Sequence, residues 1–162
     1  MFSRFCCLLI LSLRFLCSLL FNLVLPVHDR FNQASEVTHD IIGAAIEVHR
    51  DKGPGLLESI YEWCLTKELE LEGFKVQSQS NVVVKYKQFE KEYPIRCDLL
   101  VNDCVIVEVK AVVSVQPIHK AQLLSYMKLL DIPVGLLINF NEEKLTQGVS
   151  RLILPGSNLD GS

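Results

Sequence analysis

The chain has no CxxC pair, and none of its six cysteines (Cys6, Cys7, Cys17, Cys64, Cys97 and Cys104) has a histidine at zinc-site spacing. That excludes a zinc ribbon or finger. Three cysteines fall in the N-terminal segment and three in the body. An odd number in the body argues against a secreted disulfide framework and for reduced thiols in a reducing, cytoplasmic setting. A basic excess is also missing: 16 Lys and Arg face 19 Asp and Glu, a formal net charge of −3. No global field therefore marks a nucleic-acid binder. There is no internal repeat, which removes solenoids and propellers, and low complexity is confined to the short tail GSNLDGS. What remains is 162 residues, 49% of them apolar, enough for one domain with a core.

The first 30 residues are set apart from that domain. Residues 5–25, FCCLLILSLRFLCSLLFNLVL, are long and apolar enough to cross a bilayer, which would give membrane association through this segment alone. Arg14 at its centre costs such a span roughly 2.5 to 3.5 kcal/mol. As a signal peptide the segment has only Arg4 for a charged start and no small-x-small site before Pro26. A third reading has translation begin downstream, at a codon other than Met. The expected organisation is a leader at 1–30, a folded domain at 35–155 and a disordered tail at 156–162.

Within the body, SEVTHDIIGAAIEVHR places Val37, Ile41, Ala45 and Val48 on one helical stripe, with Ser35 as N-cap and Gly53 as stop. After the GPG break at 53–55, a second helix runs through Leu57, Ile60, Tyr61, Leu65 and Leu69 to Gly73. Strands are predicted over the later part of FKVQSQSNVVVKYK, then KEYPIRCDLLV and CVIVEVKA. A helix over about 118–130 follows, then the strands PVGLLINF and VSRLILP. Three strands in succession imply antiparallel hairpins, and the helix before the fourth allows a crossover, so the class is α/β or α+β around one mixed sheet.

The segment RCDLLVNDCVIVEVKA poses the chemical question. Val105, Val107 and Val109 point to one face, whereas Ile106, Glu108 and Lys110 point to the other, so a buried-type strand carries a carboxylate and an amine side by side. A two-residue turn at Asn102-Asp103 would put Asp98 on the opposite face from Glu108. A three-residue loop, Asn102 to Cys104, or a bulge puts Asp98 opposite Glu108 and Arg96 opposite Lys110. Two hard carboxylates suit Mg²⁺ or Mn²⁺, which takes one or two carboxylates, waters and substrate phosphate, and a lysine alongside suits charge developing on phosphorus oxygens. Between Lys85 and Lys128 seven basic residues face five acids, Asp98 and Glu108 among them; with those two neutralised by an ion the region is plainly basic.

With the ordering D-x9-E-x-K at Asp98, Glu108 and Lys110, the body resembles the PD-(D/E)XK nuclease superfamily and, within it, the GxxExxY family. That family's naming motif stands here as GLLESIY, with Gly55, Glu58 and Tyr61, and the likeness continues through RCDLLV, VIVEVKAV, HKAQLLSYMKLL and VGLLINF, from about Thr38 to Leu154. The resemblance implies a restriction-endonuclease-like α/β core with a central mixed sheet flanked by helices. It makes Asp98 and Glu108 metal ligands, Lys110 the catalytic lysine and Glu58 an additional helix-borne metal ligand. It also matches Gln122 and Tyr126 to a Q-x-x-x-Y motif. Their i, i+4 spacing independently gives them one helical face, with His119 a turn earlier, and with Arg96 they form the expected substrate-binding set. One departure stands out: Cys97 occupies the position of the usual motif proline, Pro94 lies four residues before Asp98, and members of the family often lack that proline.

Each residue also has a plainer role. Glu58 suits the first turn of a helix by its charge, Tyr61 suits the core with a local use for its hydroxyl, and His49 and His119 suit surface or capping positions. Gln122 and Tyr126 also fit as ordinary residues of an amphipathic helix. Two functions follow. The first is a Mg²⁺- or Mn²⁺-dependent nuclease that hydrolyses phosphodiester bonds, with DNA the expected substrate, by attack of metal-activated water. The second is a non-catalytic nucleic-acid-binding or assembly module that retains the nuclease fold. Small size and negative charge favour the second, unless a homodimer supplies the missing gripping surface.

Overall fold

In a computed structural model of the protein, residues 30–157 are described. Of the expected leader all but Arg30, and of the expected tail residues 158–162, lie outside them. Helix α1 spans Phe31–Lys52 and α2 Glu58–Leu71; strands β1 Val76–Tyr86, β2 Phe89–Val101 and β3 Val105–Lys110 follow. Helix α3, Pro117–Leu130, then leads to β4 Val134–Asn139, a 3-10 turn Leu145–Gln147 and β5 Val149–Ile153. The five strands form one sheet in chain order. All neighbours are antiparallel except β3 and β4, which α3 joins as a parallel crossover. The predicted order of elements is reproduced, and the class is α/β with a mixed sheet flanked by helices.

Helices α1 and α2 cover one face. Ile41, Ala45, Val48, Tyr61, Leu65 and Leu69 pack there on Leu99, Val105, Val107, Val109, Leu136 and Ile138. Helix α3 covers the other, with Leu123 and Met127 against Leu100, Ile106 and Leu137. With both faces covered, β3 and β4 are buried along nearly their whole length, as a parallel pair must be. Gly135 permits the close approach of α3 to β4: a Cβ there would stand 2.6 Å from the Met127 sulfur.

Two expectations need adjustment. Helix α1 begins at Phe31, a turn before the predicted Ser35 cap, because Phe31 and the fully buried Ala34 extend its apolar stripe onto the core. Ser35 lies inside the helix, where its hydroxyl accepts a hydrogen bond from Arg151 at 2.9 Å. The strand β1 is also longer than predicted. It pairs with β2 as far as Tyr86 and Phe89 across a two-residue turn, with Lys87 at φ 54°, and forms a ribbon that continues past the rest of the sheet.

Candidate active site

The register is set at the turn between β2 and β3. Asn102 and Asp103 take left-handed conformations, φ 47° and 55°, which Asn and Asp tolerate better than most residues. Lys75 fastens that turn: its carbonyl accepts from the Asn102 N–H at 2.9 Å, its own N–H donates to Asn102 Oδ1 at 2.9 Å, and its ammonium reaches Asp103 Oδ2 at 2.8 Å. The loop therefore holds three residues, and Val101, Leu100 and Leu99 pair with Val105, Ile106 and Val107. One step further along this register lie Asp98 and Glu108. The two-residue alternative is not adopted.

The ladder stops there, so the expected Arg96–Lys110 pair is not formed. Against β1, the residues Cys97–Leu99 stand opposite Ser78 alone, a bulge that breaks the alternation of β2. Cys97 faces the α3 side and Leu99 the side of α1 and α2. At the point of reversal, Asp98 Oδ2 accepts the Val109 N–H at 2.8 Å, a donor the parted ladder would otherwise leave free. The carboxylate thus lies in the opening between the two strands, near the plane of the sheet. β2 and β3 form a fork with Asp98 in its crotch.

Glu108, 3% exposed, receives a 2.7 Å hydrogen bond from the Lys110 ammonium. Burial pushes the pKa of Asp98 above its ordinary value, and Glu58 adds to this, while the Val109 N–H, Lys110 and Arg96 oppose it. Glu108 is raised in the same way, by burial first, with Asp98 and Glu58 adding and Lys110 opposing. For Lys110, burial works against the ammonium, but Glu108, Asp98 and Glu58 outweigh it and leave the amine above its usual range. The fork is a desolvated concentration of negative charge answered chiefly by one half-buried cation, Lys110.

Helix α2 supplies further acids. Glu58, exposed in its first turn, accepts the Ala111 N–H at 3.1 Å and so meets the chain just beyond Lys110. Tyr61 is fully buried and stacked on Phe140 at 4.4 Å; its hydroxyl donates to Gly53 O at 2.6 Å and accepts from Leu56 N at 3.1 Å. Those bonds fix the GPG loop that starts α2, in agreement with the plainer reading of Tyr61.

Sequence reasoning missed Glu62. It stands four residues after Glu58, on the same helical face, and that spacing was the available signal. Burial raises its pKa, followed by the charge of Asp98, with Arg96 opposing and Glu108 adding. Glu62 lines an open cleft of about 410 Å³ together with Ser59, Thr66, Gln77, Ser78 and Asp98.

The expected substrate set is spread more widely. Gln122 donates to the Tyr126 hydroxyl at 3.3 Å on the outer side of α3, and among the described residues no hydrogen bond joins either to the fork carboxylates. His119 is a capping residue, its Nδ1 accepting the Gln116 N–H at 3.2 Å, and His49 bonds Glu142 O at 2.9 Å. Arg96 is exposed on β2 beside the fork, where its charge reaches Asp98 and Glu62.

Asn139, fully buried at the end of β4 next to Lys110, was also missed. Its Oδ1 accepts Val112 N–H at 3.0 Å and its Nδ2 donates to Val112 O at 2.9 Å, so it holds the segment leaving the lysine as a strand neighbour would. A lone amide in the apolar run VGLLINF was the signal.

The sheet thus forks at two carboxylates and a half-buried lysine spaced as D-x9-E-x-K, with the acids of α2 nearby. The family model of the PD-(D/E)XK nuclease superfamily matches residues 35–152, and the chain belongs to that superfamily. No curated protein and no solved structure matches the chain significantly. Membership points to a nuclease acting on nucleic acid, and such nucleases usually use divalent metals. Among the described residues, no group of three or more His, Cys, Asp or Glu side chains is arranged to hold a metal ion. The donor set still fits one in its chemistry: hard oxygens of Asp98 and Glu108, crowded and desolvated, are what a divalent cation relieves. Also among the described residues, no helix is long and apolar enough to cross a membrane.

Proposed function

We propose that the protein is a Mg²⁺- or Mn²⁺-dependent nuclease of the GxxExxY family that hydrolyses phosphodiester bonds in DNA by direct attack of water. The observation that carries this reading is the fork, where Asp98 meets the strand of Glu108 and Lys110 in a desolvated opening. Asp98 and Glu108 would hold the ion, with Glu58 a further ligand once it releases the Ala111 N–H. When bound, the ion supplies Lewis acidity toward the phosphate and lowers the pKa of a water.

The chain's own groups do the rest. The Val109 N–H orients the Asp98 carboxylate, leaving its Oδ1 for the ligand, and Lys110 leaves Glu108 Oε2 in the same condition. Lys110 presents a half-buried positive charge that would stabilise negative charge developing on the phosphoryl oxygens. Arg96, exposed beside the fork, would contact the backbone of a bound strand, and Gln122 and Tyr126 would do so farther out on α3.

The test is cleavage of single-stranded, duplex and nicked DNA and of RNA with Mg²⁺ or Mn²⁺ against EDTA, using Asp98→Asn as the inactive control. Cleavage that needs the ion and is lost in Asp98→Asn is expected; none on any substrate, or equal cleavage by the variant, would refute it. A second reading, a binding module that retains the fold, is favoured by one observation: oxygens of Asp98, Glu108 and Glu58 are already engaged within the protein. Calorimetry separates the two, since a pure binding module takes up no Mg²⁺ or Mn²⁺ at the fork.

A further inference from the structure

The β1–β2 ribbon carries an aromatic surface that the proposed chemistry leaves unused. Beyond the fork, residues 89–94 of β2 are exposed and pair with β1 alone. Because β2 runs antiparallel to β3, this ribbon rises from the end of the sheet where β3 finishes at Lys110. From Arg96 to Phe89 it reaches about 25 Å past the carboxylates.

The cross-strand partners Tyr86↔Phe89, Val84↔Lys91 and Val82↔Tyr93 alternate with Lys85↔Glu90 and Val83↔Glu92. One face thus gathers Tyr86, Phe89 and Tyr93 with Lys91, and the other carries the acids. The three rings are 67%, 63% and 44% exposed. Lys91 lies over the Tyr93 ring at 4.8 Å and Lys87 over the Tyr86 ring at 5.3 Å, whereas Lys85 is paired with Glu90 at 2.8 Å. The ribbon therefore offers a facing pair of rings, Tyr86 and Phe89, at its tip and a third, Tyr93, beyond the Val84–Lys91 rung on the same face, each of the two tyrosines with an ammonium at its face, and keeps its glutamates on the reverse.

Rings that stack bases beside ammonium groups that meet phosphates are the features of a single-strand platform, and duplex DNA, with its bases already stacked, cannot use them. We infer that this ribbon holds an unpaired nucleic-acid strand by base stacking on Tyr86, Phe89 and Tyr93, with Lys87 and Lys91 on its phosphates, and guides it into the fork. The inference rests on the nuclease reading for the direction of the strand but not for the binding itself.

The experiment is fluorescence anisotropy of the purified 162-residue chain with labelled oligo-dT and with a labelled duplex, in EDTA so that no cleavage intervenes. The variants are Tyr86→Ala/Phe89→Ala/Tyr93→Ala and, as a control for loss of an exposed apolar side chain elsewhere, Leu71→Ala, which is 83% exposed. Circular dichroism checks that the fold is retained. The triple variant is expected to lose about a hundredfold or more in oligo-dT affinity, with duplex binding nearly unchanged and Leu71→Ala like the parent. Lys87→Gln/Lys91→Gln is expected to weaken binding and flatten its salt dependence. Unchanged oligo-dT affinity in the triple variant overturns the inference. So does light scattering that shows the triple substitution turning a dimer into a monomer without changing affinity per protomer, because the face then serves a second copy. Ribbon-dependent binding by a chain that cuts nothing leaves the platform standing and refutes only the nuclease.

Discussion

Apart from the chemistry proposed for it, Lys110 should contribute to stability, and the two effects can be separated. The Glu108 side chain is 4% exposed and Lys110 14%, with 2.7 Å between their charged atoms. Taking away one member of a buried pair strands the other, at a cost of about 3 kcal/mol when the remaining charge has no route to water. Glu108 is the more enclosed, so Lys110→Met should cost about 3 kcal/mol at pH 7. Glu108→Gln should cost only about 1 kcal/mol, since the lysine can extend toward solvent. The double variant Glu108→Gln/Lys110→Met should return to within about 1 kcal/mol of the parent, a coupling of about 2 to 3 kcal/mol. Glu108 already titrates above the ordinary carboxylate range, so without Lys110 it takes up a proton more readily still, and lowering the pH toward 5 should recover much of the Lys110→Met loss. Urea denaturation of the four metal-free proteins at pH 7 and pH 5 measures all of this. A Lys110→Met variant within about 0.5 kcal/mol of the parent at pH 7, or a double variant no better than Lys110→Met, would refute the reasoning.

Asp98, Glu108 and Glu62 all have folded pKa values raised first by burial, so the stability they contribute is fully present below the unfolded carboxylate range, near pH 4, and is lost as pH rises through the folded values. The metal-free parent should therefore lose stability relative to Asp98→Asn as pH is raised from about 4 toward 7, and parallel urea midpoints would argue otherwise. Tyr61→Phe keeps the stack on Phe140 but releases Gly53 O and Leu56 N; an expected loss of about 1 to 2 kcal/mol should appear as a lower thermal midpoint. Burial pushes the Cys97 thiol up to about 11 and raises Cys104 as well. In the folded protein, iodoacetamide at pH 8 should thus label the half-buried Cys64 ahead of both, with mass spectrometry assigning the sites.

The elements were legible because each repeats a simple period: α1 and α2 in steps of three and four, β3 and β4 as short apolar runs bounded by turns. The helix start at Phe31 was not, because Arg30 makes no side-chain cap and the first turn is held by packing of Phe31 and Ala34 on distant strands. Asp98, Glu108 and Lys110 could be found as charges embedded in a buried-type strand, and the correct loop length was one of two written alternatives. What chose between those alternatives was Lys75, 27 residues before Asn102, through contacts that no local pattern contains. Glu62 and Asn139 were hidden for a different reason. An acid on a helix and an amide at a strand end are ordinary in sequence, and become distinctive only when burial puts one beside Asp98 and the other against Val112.

The bulge at Cys97–Leu99 ties these pieces together. A regular β2 would have continued its ladder up to Lys110, satisfying the Val109 N–H with a carbonyl and leaving no opening between the strands. Three residues set against Ser78 bend β2 away from β3, and the freed N–H becomes the group that aims the Asp98 carboxylate. The same departure sends the first half of β2 off the sheet with β1 as its only partner, which makes the exposed ribbon and its aromatic face. One irregularity therefore creates the acidic opening and the arm beside it. It also explains why the position before Asp98 is a buried cysteine: Cys97 turns toward Ile106 and Leu100 on the α3 side, anchoring the strand where its direction changes.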